Sequence, residues 1–367
     1  MNTRLLLCWL LLPLTAGAQS STHPYKNWMI GPFRKVNAAN PVLSPQAGSS
    51  FVCPIRGTRV RWEEKDVYNP AAVVRHGRLY LLYRAEDTVK AVGGTSRIGL
   101  AVSDDGIHFK RADRPVFYPG NDAMKNYEWE GGCEDPRIAE SPDGTYIMTY
   151  TAYDGDKARL CVATSRDLLT WEKKGLAFGK AYGGKYGKGW SKSGAIVCER
   201  IGSRLVARKI NGAYWMYWGD QQELYSAFSE DLINWTPIEK PGGQLRGVAA
   251  FRPGRHDYRV LEPGPPALLT PRGIVLLYNG MNDAKNGDTA LPEGAYAAGQ
   301  MLFSADEPTQ LLDRSETYFM KPDQPYEVAG QVNQVCFLEG MVPFRGKWFL
   351  YYGTADSRIA VATAPLK

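Results

Sequence analysis

One unit recurs five times along this chain, with a period of roughly sixty residues, and the recurrence leaves few folds open. Each copy begins with an apolar, aromatic strand of Tyr-x-x-Tyr flavour. A loop follows, then a strand of small residues that in four copies ends in Ser-x-Asp, at Ser103-Asp104-Asp105, Ser165-Arg166-Asp167, Ser229-Glu230-Asp231 and Ser304-Ala305-Asp306. An aromatic about four residues after the Asp closes the turn in three copies, at Phe109, Trp171 and Trp235. Alternating apolar residues and polar turns at this spacing, with no long helical pattern, predict an all-β chain folded as a five-bladed β-propeller of four-stranded blades. A β-sandwich is the alternative, but it would not explain the repeat. The fifth copy stops at Lys367 with a strand missing, so a segment near the N-terminus is expected to supply it.

Composition adds limits. With 367 residues, 44% hydrophobic and 22% charged, the chain can bury a large core in one or two domains. The repeat favours a single domain over residues 19–367. The net charge of +6 is dispersed, with no basic run, so nucleic-acid binding is not expected. Residues 1–18 read as a signal peptide: Arg4, an apolar run over 5–15, and the small-residue site Ala16-Gly17-Ala18. That run is too short to span a bilayer and no later segment is long enough, so the mature protein is expected to be exported, periplasmic or extracellular, with no membrane span. Cys53, Cys133, Cys161, Cys198 and Cys336 remain, with no Cys-x-x-Cys spacing. A dense disulfide framework is excluded, a zinc site is not expected, and Cys133 reads as a buried structural thiol.

The densest chemistry is Glu128-Trp129-Glu130-Gly131-Gly132-Cys133-Glu134-Asp135-Pro136-Arg137, four acids, an indole and an arginine at the mouth of a strand. Alone, such a stretch is most simply a solvated acidic turn neutralised by Arg137. The repeat changes this, because the segments before the first strand of each copy would face one central pocket. Those segments are Asn69-Pro70, Glu134-Asp135, Lys192-Ser193, Glu262-Pro263 and Gly340-Met341. Trp129, Trp190, Trp218 and Tyr296 are candidates for lining that pocket, with Trp218 the preferred one. No metal-ligand spacing stands out, and no cofactor is expected.

Six motifs, in order along nearly the whole mature chain, carry a resemblance. They are Tyr68-Asn69-Pro70-Ala71, Tyr83-Arg84-Ala85-Glu86-Asp87, Glu134-Asp135-Pro136-Arg137, Lys209-Ile210-Asn211-Gly212, Pro263-Gly264-Pro265-Pro266 and Tyr352-Gly353-Thr354-Ala355-Asp356-Ser357-Arg358. The sequence resembles glycoside hydrolase family 130, the β-mannoside phosphorylases and β-1,2-mannosidases, a five-bladed propeller family. The resemblance implies a β-mannoside oligosaccharide as substrate. It implies Asp135 as proton donor, relaying through a sugar hydroxyl as the family does. It also implies that Asn69, Arg84, Lys209 and Asp356 hold the terminal mannose; Arg137, Trp218 and Asn279 join them as candidate binding residues.

The departures from the phosphorylase pattern are chemical. Where phosphorylases carry His-Arg-Pro and Tyr-His-Gly to bind phosphate, this chain has Tyr217-Trp218-Gly219 and Tyr278-Asn279-Gly280. A phosphate dianion needs charged or bidentate donors, which Trp218 and Asn279 do not provide. Carboxylates stand nearby instead, Glu223 and Glu262. An inverting glycosidase needs an acid for the leaving oxygen and a carboxylate that activates water on the other side of the sugar. Glu223 and Glu262 are therefore expected to be the water-activating pair. The expected activity is exo-acting release of mannose from β-mannosides, with β-1,2 linkages favoured. The alternatives are a phosphorylase releasing mannose 1-phosphate and a sugar-binding propeller without turnover.

Overall fold

The computed structural model describes residues 25–89 and 93–366. The segment read as a signal peptide, 1–18, lies outside the described residues. The described chain is nearly all β, with two four-residue helices, Lys125–Glu128 and Pro325–Val328, and one short 3-10 turn. None of its helices is long and apolar enough to cross a membrane.

The strands fall into five antiparallel units that follow the sequence repeat. The first comprises Asp66–Arg75, Arg78–Glu86, Ser96–Ser103 and Lys110–Arg111. The second comprises Gly132–Glu140, Tyr146–Tyr153, Ala158–Ser165 and Glu172–Leu176. The third opens with the hairpin Ala195–Ile201 and Arg204–Ala207 and continues through Tyr214–Trp218, Glu223–Ser229 and Thr236–Pro237. In the fourth, the opening strand is split by Gly264-Pro265-Pro266 into Val260–Pro263 and Ala267–Thr270, since proline cannot donate to a ladder. Gly273–Met281, Tyr296–Phe303 and Leu311–Arg314 complete it. The fifth pairs Cys336–Phe344, Lys347–Thr354 and Arg358–Pro365 with Arg34–Lys35. The expected N-terminal strand is thus found, and it ties the start of the described chain to its end.

Local chemistry explains why the repeat folds this way. In the Ser-x-Asp turns, the Asp105, Asp167 and Asp231 carboxylates each accept two backbone N–H groups two and three residues on, all at 2.8–2.9 Å. The closing indoles of Trp171 and Trp235 both donate to a leucine carbonyl three residues earlier, at 3.1 Å. A tyrosine of the second strand lies over a glycine of the third, Tyr83 opposite Gly99 and Tyr278 opposite Gly299. A Cβ at either glycine would come within 2.5 Å of the ring.

The opening strands of the units pack against each other. Val206 pairs with Glu140, and Val197–Glu199 run parallel to Ala267–Leu269. Gly340 lies so close to the first unit that a Cβ would meet the Pro70 carbonyl at 2.5 Å. Apolar side chains fill the space between units, and the five described cysteines are free and buried there.

The expected position of the site segments needs one correction. Apart from Lys192-Ser193, they do not precede the opening strands but lie within them. Asn69, Asp135-Pro136 and Glu339 each occupy a break in the strand register, between Tyr68 and Pro70, Glu134 and Arg137, and Leu338 and Gly340. A bulge frees a residue from the ladder and re-aims its side chain. Asn69 and Asp135 have φ of 46° and 48°, a strained setting that the neighbouring strands hold in place.

Candidate active site

Asp135 is the hub, 2% exposed. Its Oδ1 accepts from Asn69 Nδ2 at 3.0 Å and lies 3.2 Å from Arg84 Nη1, and its Oδ2 is 3.3 Å from Lys192 Nζ. The Arg84 guanidinium also binds Glu86 at 2.7 Å and Glu134 at 2.8 Å, and its Nε donates to Ser96 Oγ at 3.0 Å. Its plane covers the Tyr68 ring at 4.7 Å. Asn69 Oδ1 is buried without a partner, and only a glycine at position 353 leaves it room, since a Cβ there would come within 2.2 Å. Glu262 is 4% exposed and accepts a short hydrogen bond from the Ser193 hydroxyl. Asp356 sits at φ 49° after Ala355 at φ 46°, near Arg84 and Asp135.

Arg137 is buried, and its role is to hold the site together. Its Nε and Nη2 donate to the carbonyls of Gly264 and Pro263 at 2.8 and 2.7 Å, and its Nη1 to the Asp135 carbonyl at 3.3 Å. It thereby joins the second unit to the fourth beneath the acid.

The charge balance sets the protonation. The acids Glu86, Glu134, Asp135, Glu262, Glu339 and Asp356 outnumber the cations Arg84, Arg137 and Lys192, and water is largely shut out, so not every acid can ionise at neutral pH. Burial opposes the charge on Asp135, but Lys192, Arg84 and the Asn69 amide outweigh it and hold its carboxyl well below the usual range. Burial pushes Glu134 up to about 7 despite Arg84, with Asp135 adding to the rise. Two acids on one guanidinium share their last proton, which belongs to the pair. Burial also lifts Glu262 to about 7, against Lys192 and with help from Asp220, and Asp356 to about 7, against Arg84. Lys192 stays charged: burial works against it, but Asp135 and Glu262 more than compensate. Among the described residues, no group of three or more His, Cys, Asp or Glu side chains could hold a metal ion.

The structure gathers Asn69, Arg84, Asp135, Arg137, Glu262 and Asp356; it takes Lys209, Trp218 and Asn279 out of the site, and it leaves Glu223 exposed two residues from Gln221, which pairs with Leu261 beside Glu262. Lys209 is exposed on the surface, its Nζ 5.1 Å over the Tyr214 ring, and the lysine in the site is Lys192. Trp218 is 3% exposed in the apolar core against Phe178 and Tyr225, so it offers no face to a sugar. Asn279 is fully buried and spends its amide on the backbone of Leu338, donating at 3.0 Å and accepting at 2.8 Å, which clamps the fourth unit to the fifth. Glu223 is exposed at the start of its strand, where the Tyr225 hydroxyl donates to it at 3.3 Å. The acid that acts on both Glu262 and Lys192 from this region is Asp220.

Lys192, Ser193, Glu134 and Glu339 were not singled out as site residues. The signal existed for most of them: Lys192-Ser193 and Glu134 fall in the repeat's site-facing segments, and Glu339 directly precedes the fifth.

Residues 36–367 match the model of glycoside hydrolase family 130, described as beta-1,4-mannooligosaccharide phosphorylase. The chain is 31% identical to a 1,2-beta-oligomannan phosphorylase of Thermoanaerobacter sp. (strain X514) over 89% of this chain and 95% of that one. The crystal structure of a glycosyl hydrolase from Bacteroides ovatus superposes with a TM-score of 0.91 at 46% identity, covering 94% of this chain and 98% of that one. A further solved structure, with TM-score 0.91, 46% identity and coverage of 94% and 99%, carries the description "The GH130 family of mannoside phosphorylases contains glycoside hydrolases that target beta-1,2 mannosidic linkages in Candida mannan". An all-β scaffold with a buried acid and cation cluster of this kind is that of a carbohydrate-active enzyme. The chain belongs to glycoside hydrolase family 130.

Proposed function

We propose that the protein is an exported, exo-acting, inverting glycoside hydrolase that releases mannose from β-1,2-linked mannosides, built as a five-bladed β-propeller. The propeller reading is supported by the order in which the opening strands touch and by the strand Arg34–Lys35 completing the last unit.

One observation carries the choice of water over phosphate: every cation of the site is already engaged. Arg84 is spent on Glu86, Glu134 and Asp135, Arg137 on backbone carbonyls, and Lys192 on Asp135. A phosphate dianion would need free charged donors and would meet an excess of carboxylates. Water needs only a base, and Glu262, held by Ser193 and lifted to about 7, suits that task near neutral pH. Asn69, Arg84 and Asp356 hold the terminal mannose. The Glu134–Asp135 pair supplies the proton for the leaving oxygen: Glu134, lifted to about 7, is the member that carries it at rest, and Asp135, which touches Lys192 and Asn69, passes it on. Glu262 takes a proton from water as it attacks the opposite face of the anomeric carbon, with inversion.

The test is incubation with β-1,2-mannobiose, with and without phosphate. Free mannose at equal rates in both supports hydrolysis. Mannose 1-phosphate formed only with phosphate would favour the second reading, a phosphorylase, to which the 31% identity with an oligomannan phosphorylase lends weight. Binding without product would point to a sugar-binding protein.

A further inference from the structure

Trp190 is one of the few large apolar side chains left in solvent, 46% exposed. Its indole N–H does not face water: Nε1 donates to both carboxylate oxygens of Asp220, at 2.9 and 2.8 Å. Asp220 in turn lies within the electrostatic reach of Lys192, Glu262 and Tyr296. The indole therefore stands at the open edge of the buried acid cluster, fixed by a carboxylate that belongs to it.

Its backbone is fixed as well. Ser191 N donates to the Ala158 carbonyl at 3.1 Å and Ser191 Oγ accepts from Leu160 N at 3.0 Å; the Lys192 carbonyl accepts from Gly219 N at 3.0 Å. The other aromatics of the segment are used differently. Tyr182 and Tyr186 direct their hydroxyls to the Pro237 carbonyl and the Glu239 carboxylate, at 2.9 and 2.6 Å, and anchor the loop to the next turn. Trp190 alone is held with its ring uncovered beside the site. A flat apolar ring with its polar atom already satisfied suits the C–H face of a sugar, and holding it in advance avoids the ordering cost of binding.

We propose that Trp190, locked by Asp220, is the platform for the sugar ring beyond the scissile bond, the part of the β-mannoside that leaves. The terminal mannose belongs in the depth of the cluster with Asn69, Arg84 and Asp135, so the rim is left for the rest of the chain. This inference rests on the β-mannosidase reading above. It adds a residue pair that selects for a pyranose on the leaving side.

The test compares two substrates, β-1,2-mannobiose and β-mannosyl fluoride, whose leaving group has no ring. In Trp190→Ala, kcat/KM for mannobiose should fall about tenfold, chiefly through KM, while the fluoride is hydrolysed within about twofold of wild type. Retained fluoride hydrolysis also reports that the variant is folded. Asp220→Ala, which frees the indole and also alters the neighbourhood of Glu262, should change both substrates but lower the mannobiose-to-fluoride ratio in the same sense. An unchanged ratio in Trp190→Ala would overturn the platform, as would equal loss on both substrates, which would put the indole against the terminal sugar. Wild-type enzyme that turned over neither substrate would instead overturn the β-mannosidase reading, and the subsite with it.

Discussion

Replacing Glu262 by glutamine is the perturbation that tests the chemistry most directly. The amide keeps the size of the side chain and can still accept the Ser193 hydroxyl, so the site should keep its shape. It cannot take a proton from water. A positioned general base contributes roughly a hundred- to ten-thousand-fold, or about 3–5 kcal/mol of barrier, and kcat should fall by that factor. KM should stay within about threefold, because the terminal mannose is assigned to Asn69, Arg84 and Asp356. The pH profile supplies a second readout. The working form of a base is the carboxylate, so below the point at which it gains a proton the wild-type rate should drop about tenfold per pH unit. Burial and Asp220 on one side, against Lys192 and Arg137 on the other, set that point at about 7. Ser193, Tyr296 and Glu339 are the remaining groups around it. The glutamine variant should have lost this acid limb. Mannose release from β-1,2-mannobiose, followed from about pH 5 to pH 8, measures both effects. A variant that kept more than about a tenth of wild-type kcat, or the same acid limb, would refute the assignment of Glu262 as base.

Lys192→Met should cost at least about a hundredfold in kcat and move the acid limb upward, since Glu262 loses the cation that most favours its charged form; Lys209→Met should change neither, which steady-state kinetics on the two variants decides. Gly340→Ala should destabilise by about 1–3 kcal/mol, read as a lower Tm, because the new methyl would meet the Pro70 carbonyl. Glu339 is fully buried, with both oxygens lacking a hydrogen-bond partner, and burial raises its carboxyl well above the usual range despite Arg137. The folded state then holds a proton that the unfolded chain has released, so wild-type stability falls as pH rises above the ordinary glutamate value; the Tm advantage of Glu339→Gln should grow between about pH 4 and pH 8, as thermal melts would show. For export, the mature protein recovered from its native host should begin at Gln19 by N-terminal sequencing, and an intact Met1 would contradict the reading of 1–18.

The repeat was legible because its devices are local. A Ser-x-Asp turn, a closing indole and a tyrosine over a glycine each act within one hairpin, so the residues that make them stand close together in the sequence. The missing strand was legible for a related reason: a four-stranded unit cut short leaves an edge that must be covered, and the chain offered Arg34–Lys35. The site was legible where a motif fixes both the strand and the break in its register, as at Asn69 and Asp135. It was misread where only the strand was fixed. A strand has two faces, and a shift of one residue exchanges them. Glu223 shares a face with Tyr225, which packs on Trp218, but it stands exposed at the start of its strand, three residues from Asp220. Trp218 and Asn279 have the right parity to be buried, but Trp218 is taken by Phe178 and Tyr225 in the core and Asn279 by the Leu338 backbone of the next unit, about sixty residues distant. Lys209 belongs to a motif whose strand ends at Ala207, so its side chain is released to solvent. Lys192 and Glu339 show what the period itself could have added. Once Asn69 and Asp135 are aligned as residues that break the register of an opening strand, the same place in the third unit falls at Lys192-Ser193 and in the fifth at Glu339. A cation between two acids, and a buried acid behind them, follow from the alignment of the units with one another.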